Sequence, residues 1–262
     1  EECILCGRCI IMCPQNARQI VDTTEIVQVM LYDDPPVIAS VAPAFTAYFE
    51  GIGFASLREG LLKLGFADAE ETAVGATHVK KEYERLMSEG QQDVIISSCC
   101  HSVNLLMRKY YPQILDTLAP VYSPMIAHTL DIKKRNPQAK TVFISPCAAK
   151  KEEADDSPVD AVITFEELHQ MFQKAKVQPD YQEESRTRLF PTVGGIIKSM
   201  DIPEDTEYTF MTIDGILNCI AALESVAKGN VHRCFIEMSA CPQSCIGGPV
   251  IRKRYDYPVQ SF

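Results

Sequence analysis

Cysteines at spacings that suit iron supply most of the chemistry of this 262-residue chain. Near its start, Cys3, Cys6, Cys9 and Cys13 follow a C-x2-C-x2-C-x3-C rhythm closed by Pro14. Such close spacing lets three sulfurs wrap one corner of a [4Fe-4S] cube, with the fourth reaching toward a second cluster. Three further islands lie far apart: Cys99-Cys100 within SSCCHS, Cys147 within SPCAAKKEE, and Cys241 with Cys245 within EMSACPQSCIGG. Singly, each reads as buried structural cysteine. Jointly they do not, because each ends an apolar run with the character of a strand, and strand ends line the ligand crevice of open α/β sheets. Thiolates are soft ligands suited to iron, and four meeting at one point can hold a cube.

The N-terminal run is incomplete by this count. Cys3, Cys6 and Cys9 need a fourth ligand, Cys13 needs three others, and the chain holds no second run. A companion run upstream of Glu1 is the simplest source, since the sequence does not open on methionine. The alternatives are that Cys13 serves the same cluster, or that the region binds nothing. Lys150, three residues after Cys147, either aims a cation at a cofactor or lies solvated beside Lys151 and the acidic pair Glu152-Glu153. Cys219 and Cys234 sit in apolar context and read as buried free thiols.

The elements that must position these residues alternate. Strand-like runs cover 24–32, 37–45, 93–100, 140–147, 161–165 and 234–241. Helical patterns cover 56–65, 76–88, 102–111, 124–135, 165–176, 192–200 and 214–228, and the polar stretch 177–190 reads as a loop. Uninterrupted β-branched runs such as DVIISSCC suit strands buried on both faces of parallel sheets. The expected class is therefore α/β, with mainly parallel sheet flanked by helices. Pro35-Pro36 marks a boundary between a segment 1–34 and a domain 35–262. A net charge of −10 argues against nucleic acid as a partner. No apolar stretch reaches the roughly 18 residues a membrane span needs. Eleven cysteines, many in metal-ligand patterns, fit a reducing cytoplasm better than a disulfide framework.

At these islands the chain resembles the catalytic domain of [FeFe]-hydrogenases. That family carries T-S-C-C-P, M-P-C-x2-K-x2-E and E-x-M-A-C-x3-C-x2-G-G signatures, and this chain has their counterparts in the same order. SVAPAF (40–45) resembles the family's apolar strand beside the active site, and PTVGGIIKSM (191–200) its Gly-Gly helix start. The resemblance runs from about Cys3 to Gly248, the first residues matching a bacterial ferredoxin segment. It implies two lobes of parallel sheet with the metal cofactor between them. It also implies an H-cluster, a [4Fe-4S] cube joined to a two-iron unit with CO, cyanide and azadithiolate, installed by maturation proteins. Cys100, Cys147, Cys241 and Cys245 match the cube ligands, with Cys245 bridging. Cys99 matches the proton-relay cysteine and Lys150 the lysine that hydrogen-bonds an iron-bound cyanide. Ala42 and Pro43 match the strand lining the pocket.

The departures cluster around the two-iron unit. Ser145 and Ser239 stand where the family has methionine, His101 where it has proline, and Met125 where it has a cyanide-bonding glutamine. A serine of the usual proton path falls at Ala119 or Pro120, and its glutamates fall loosely near Glu82 and Glu84, with Arg85 occupying one position. His101 either replaces part of that path or caps the following helix. The remaining histidines, His78, His128, His169 and His232, read as ordinary. Groups near iron ligands tune their potential, so these changes resemble the divergent subgroups assigned to hydrogen sensing. The expected activity is reversible interconversion of H2 with protons and electrons, the electrons passing to a ferredoxin-like or intramolecular partner. The alternative is a non-catalytic, hydrogenase-like iron–sulfur assembly protein, against which the retained Cys99 argues.

Overall fold

The computed structural model describes residues 2–32, 35–179 and 191–254. Two parallel sheets organise it. In the first, strands β1 (Val37–Val41), β2 (Asp68–Glu71), β4 (Lys140–Ser145) and β5 (Ala161–Thr164) lie in the order β2-β1-β4-β5. In the second, β3 (Val94–Ile96), β6 (Thr209–Asp214) and β7 (Cys234–Ser239) lie in the order β3-β7-β6. Every pairing is parallel. All five residues of β1 are buried, as are all three of β3, so their apolar runs show no alternation.

Parallel strands need crossovers, supplied by Phe54–Lys63 between β1 and β2, Ala149–Asp155 between β4 and β5, and Ile216–Ala227 between β6 and β7, while other helices lead from one sheet to the other. Ala73–Glu89 leads from β2 to β3 and ends at Gly90, whose left-handed conformation (φ 62°) stops the helix. Pro124–Arg135 opens on a proline and leads to β4. Phe165–Ala175 follows β5 directly, its start held by a capping box between Thr164 and Glu167. One apolar core joins the first sheet to Phe45, Phe49, Phe165 and Phe172. Two others cover the faces of the second sheet, one around Val103, Met107 and Leu223, the other around Tyr83, Ile196 and Tyr208.

The expected strand at 24–32 is a helix, Thr24–Tyr32. Its buried residues Thr24, Val27 and Met30 recur every third position, while Ile26 and Val29 stay exposed at 54% and 61%. A strand would have buried every second residue, so one-sided burial overrides the β-branched composition. β2 and β6 were not anticipated: β2 reads DAEE, and both lie at sheet edges with most residues only partly covered. The expected loop at 177–190 lies outside the described residues from 180 onward.

Candidate metal centre and its pocket

Four strand ends converge on one place. β1 runs into Ala42-Pro43, β3 into Cys99-Cys100, β4 into Pro146-Cys147 and β7 into Ala240-Cys241. They enclose a cavity of about 110 Å³. Its walls include Cys99, Cys100, Cys147, Cys245 and Lys150, with Ala42, Pro43, Met125, Ser145 and Ser239. Cys241 sits just behind, in a neighbouring cleft that it shares with Cys6.

The Cys241–Cys245 loop is tightly wound. Gln243 and Ser244 take left-handed backbone (φ 64° and 57°), a conformation costing roughly 1–2 kcal/mol per residue outside glycine. Ser244 N–H bonds the Cys241 carbonyl at 3.1 Å, and Gly248 N–H bonds that of Cys245 at 3.1 Å. A Cβ on Gly247 would collide with the Pro242 carbonyl oxygen, so only glycine closes the turn. This winding carries Cys241 and Cys245 to the same side as the β3 and β4 cysteines.

The thiols influence one another. Burial, then neighbouring Cys100, pushes Cys147 up to about 11. Burial also pushes Cys245 up to about 12, with Cys147 and Cys100 adding to it. Cys241 is raised well above the thiol range by burial and by Cys147, Cys100, Cys245 and Cys6. Cys245 has exposed surface, but that surface faces the cavity, and the depth of surrounding protein governs its ionisation. Cys147, Cys241 and Cys245, raised in one another's presence and gathered beside Cys100, are a donor set for a cationic soft-metal group. Among the described residues, no three His, Cys, Asp or Glu side chains converge as on a single ion. A cube differs, since its four ligands bind separate corners. The donor set therefore fits an iron–sulfur cube, and the cavity beside Cys245 offers room for a further group.

Cys99 and Lys150 face that cavity together. The Cys99 Sγ lies 3.2 Å from the Tyr83 hydroxyl. Burial pushes this thiol up to about 12, against opposing pulls from Tyr83 and Lys150. Lys150 Nζ donates to the Cys99 carbonyl at 3.1 Å and pairs with Glu153. Burial works against the ammonium, but Glu153 prevails and Lys150 is held above its ordinary value. With 12% and 8% of their side chains exposed, Lys150 and Glu153 form a buried pair. Lys151 turns instead to Glu167, 2.7 Å away. Glu237 of β7 also reaches the cavity; burial raises its carboxyl, while N–H groups of residues 194–197 oppose the shift.

His101 opens the helix after Cys100 and meets Glu152 at 2.8 Å. Ala119 and Pro120 line a separate cleft with Ser98. Glu82 pairs with Arg85, and Glu84 accepts the Asp201 N–H, both away from the pocket. Cys3, Cys6 and Cys9 share the wall of a cleft of about 980 Å³. Cys13 is apart from it, its sulfur accepting the Ala17 N–H at 3.3 Å.

Comparison with known proteins places this arrangement. The family described as iron only hydrogenase large subunit, C-terminal domain, matches residues 35–199 and 182–249. The chain belongs to the iron-only hydrogenase large-subunit family. A 4Fe-4S binding domain matches residues 1–19 of this hydrogenase-family chain. The NADP-reducing hydrogenase subunit HndD of Solidesulfovibrio fructosivorans is 25% identical, over 94% of this chain and 55% of the relative. Iron hydrogenase 1 of Clostridium pasteurianum is 24% identical, over 82% and 48%. The chain thus spans about half the length of the curated relatives it matches. Among solved structures, a variant of [FeFe]-hydrogenase HydA1 from Chlamydomonas reinhardtii shares the fold with TM-score 0.68 and 20% identity, over 89% of this chain and 87% of that one. The [FeFe]-hydrogenase HydA(deltaEFG) shares it with TM-score 0.67 and 19% identity, over 91% and 89%.

Sequence reasoning about this hydrogenase-family domain missed Tyr83, Glu153 and Glu237 as groups near the pocket. Glu153 carried a signal, since acid and base three apart on a helix share a face. Tyr83 carried none, because its partner is 16 residues away across a turn and a strand.

Proposed function

We propose that this chain is an [FeFe]-hydrogenase catalytic domain, interconverting H2 with two protons and two electrons. Cys100, Cys147, Cys241 and Cys245 would hold the cube, with Cys245 shared by a two-iron unit seated in the adjoining cavity. That unit, supplied by maturation proteins, provides when bound an open coordination site and a base for heterolytic cleavage of H2. The remaining work falls to the chain. Lys150 presents an ammonium to an anionic ligand, kept charged by Glu153. Cys99 keeps its thiol proton at neutral pH and can exchange it with a group in the cavity, its sulfur steadied by Tyr83. Ala42, Pro43 and Met125 line the wall with apolar surface that limits water. Cys3, Cys6 and Cys9 would carry electrons between this centre and a ferredoxin-like or intramolecular partner in a reducing cytoplasm.

The observation carrying this reading is that a relay-competent thiol, a buried ammonium and cube-competent cysteines open onto one cavity. Ser145, Ser239 and Met125 in the same wall support slow turnover suited to hydrogen sensing. Reconstitution with a synthetic two-iron cofactor tests both parts. Infrared bands of iron-bound CO and cyanide should appear, with measurable but slow turnover in both directions. A folded, iron-loaded protein lacking those bands would favour an assembly role. Rates matching the fastest hydrogenases would refute sensing.

A further inference from the structure

From the wall of the pocket that Cys99 also lines, a row of buried polar groups leads outward. Thr72, 3% exposed, borders the cavity at the start of the Ala73–Glu89 helix. Its hydroxyl lies 2.8 Å from the Ser40 hydroxyl on β1. Ser40 lies 2.8 Å from His128 Nδ1, and both side chains are fully buried. His128 Nε2 lies 3.1 Å from Glu70 Oε2 on β2. Glu70 is held by both terminal nitrogens of Arg135, at 2.9 and 2.6 Å. Arg135, 44% exposed, brings the row to solvent.

The chemistry gives this row a direction. The Arg135 guanidinium holds the Glu70 carboxyl below its ordinary value, so Glu70 is an acceptor only. His128 must then carry its proton on Nε2, which leaves Nδ1 to accept from Ser40. Ser40 has spent its single proton and must accept from Thr72, which in turn can accept from the pocket. Every link points outward. The charged groups around His128 are Glu70 from β2 and Asp131 and Arg135 from its own helix, and burial holds the imidazole below its usual value. Close helix packing makes the row possible: a Cβ on Gly75 would come within 2.7 Å of the His128 Cβ.

We propose that Thr72, Ser40, His128 and Glu70 form a second proton route between the pocket and the surface. It rests on the reading of the pocket as a place where protons are made and consumed. In outward transfer, Thr72 gains a proton at Oγ1 and gives its own to Ser40, which gives its own to His128 Nδ1. The imidazolium releases the Nε2 proton to Glu70, and Glu70 releases it to water. The O–H and N–H bonds broken equal those formed, and no electron moves along the row. Release from Nδ1 instead sends a proton inward, so the route serves both directions of a reversible reaction.

Two measurements test it. In 15N-histidine-labelled protein without cofactor, His128 should be the Nε2–H tautomer with a hydrogen-bonded Nδ1; an Nδ1–H tautomer would overturn the route. Thr72→Val keeps the side-chain shape and removes the hydroxyl. In reconstituted holoenzyme it should slow turnover by about tenfold and enlarge the solvent isotope effect, with electron transfer into the clusters unchanged. That loss is smaller than the ~10²-fold typical of a deleted proton donor, because Cys99 retains the other path. Thr72→Ser should restore the rate. Identical turnover and isotope effect in Thr72→Val and the parent would also overturn the route. Failure of the functional reading looks different: the parent protein itself would not turn over.

Discussion

At the scale of single residues, the informative comparison is between Tyr83 and its neighbours. The sequence directs attention to Glu82 and Glu84, the nearest acids in the expected proton path. Successive helical residues point about 100° apart, so when Tyr83 turns inward both glutamates turn away. Tyr83 is fully buried, 3.2 Å from the Cys99 sulfur and 3.2 Å from the Ser98 hydroxyl, and it accepts the Ser98 N–H at 3.0 Å. Ser98 in turn donates to the Val121 carbonyl at 2.6 Å. This chain therefore gives the Cys99 thiol, the proposed relay, a phenol as hydrogen-bonding partner, while Glu82 and Glu84 face away. Tyr83→Phe should leave the Ser98 N–H unsatisfied and lower stability by about 1–3 kcal/mol in urea unfolding. It should also move the Cys99 S–H stretching band toward that of a free thiol. An unshifted band would mean that the phenol and thiol do not bond. The pocket positions of Cys99 and Lys150 were readable from the motifs, and Glu153 from its spacing to Lys150, but Tyr83 belongs to a distant element and could not be read.

At the scale of elements, legibility followed burial. β1, β3, β4 and β7 are interior or fully covered strands, and their unbroken apolar runs announced them, along with the cysteines that follow β3, β4 and β7. The edge strands β2 and β6 are partly exposed and carry acids or threonines, so no run marks them. Yet β2 supplies Glu70, which ties the sheet edge to the Pro124–Arg135 helix through Arg135. His128, ordinary in sequence, is fully buried because that helix packs closely over β1. The Glu70 carboxyl is held below 4.5 chiefly by Arg135. Its folded value lies below its unfolded one, so its stabilisation is complete above the unfolded value and is lost as pH falls through the folded value. Thermal scans from pH 7 downward should show stability falling below about pH 4.5. Glu70→Gln should flatten that part of the profile and cost about 1 kcal/mol near pH 7, the upper range for a partly exposed ion pair. An unchanged acid profile in the variant would assign the loss to other carboxylates.

At the scale of the whole molecule, the two sheets aim their strand ends at a common centre, and the N-terminal segment is pinned beside it. Lys109 holds the Cys3 carbonyl at 2.7 Å, Tyr110 the Glu2 carbonyl at 2.8 Å, and Lys151 the Val21 carbonyl at 2.8 Å. Cys6 is the hinge of this arrangement. It borders the cleft shared with Cys3 and Cys9, and also the cleft shared with Cys241. A cluster held at Cys6 would stand next to a cube held at Cys241, the placement an electron path requires. Net hydrogen oxidation needs that path, because two electrons must leave for each H2. Exchange of H2 with D2O does not, because it cleaves and re-forms the bond without net electron loss. Cys6→Ala should therefore reduce dye-coupled hydrogen oxidation at least tenfold, about the effect of removing one positioned group, while isotope exchange stays near the parent rate. Reduced samples should also lose the paramagnetic signal of the N-terminal cluster. Equal loss of both activities would mean that Cys6 supports the pocket itself, through its packing against the core that includes Cys100 and Met107. Retention of both would mean that electrons enter elsewhere along the surface.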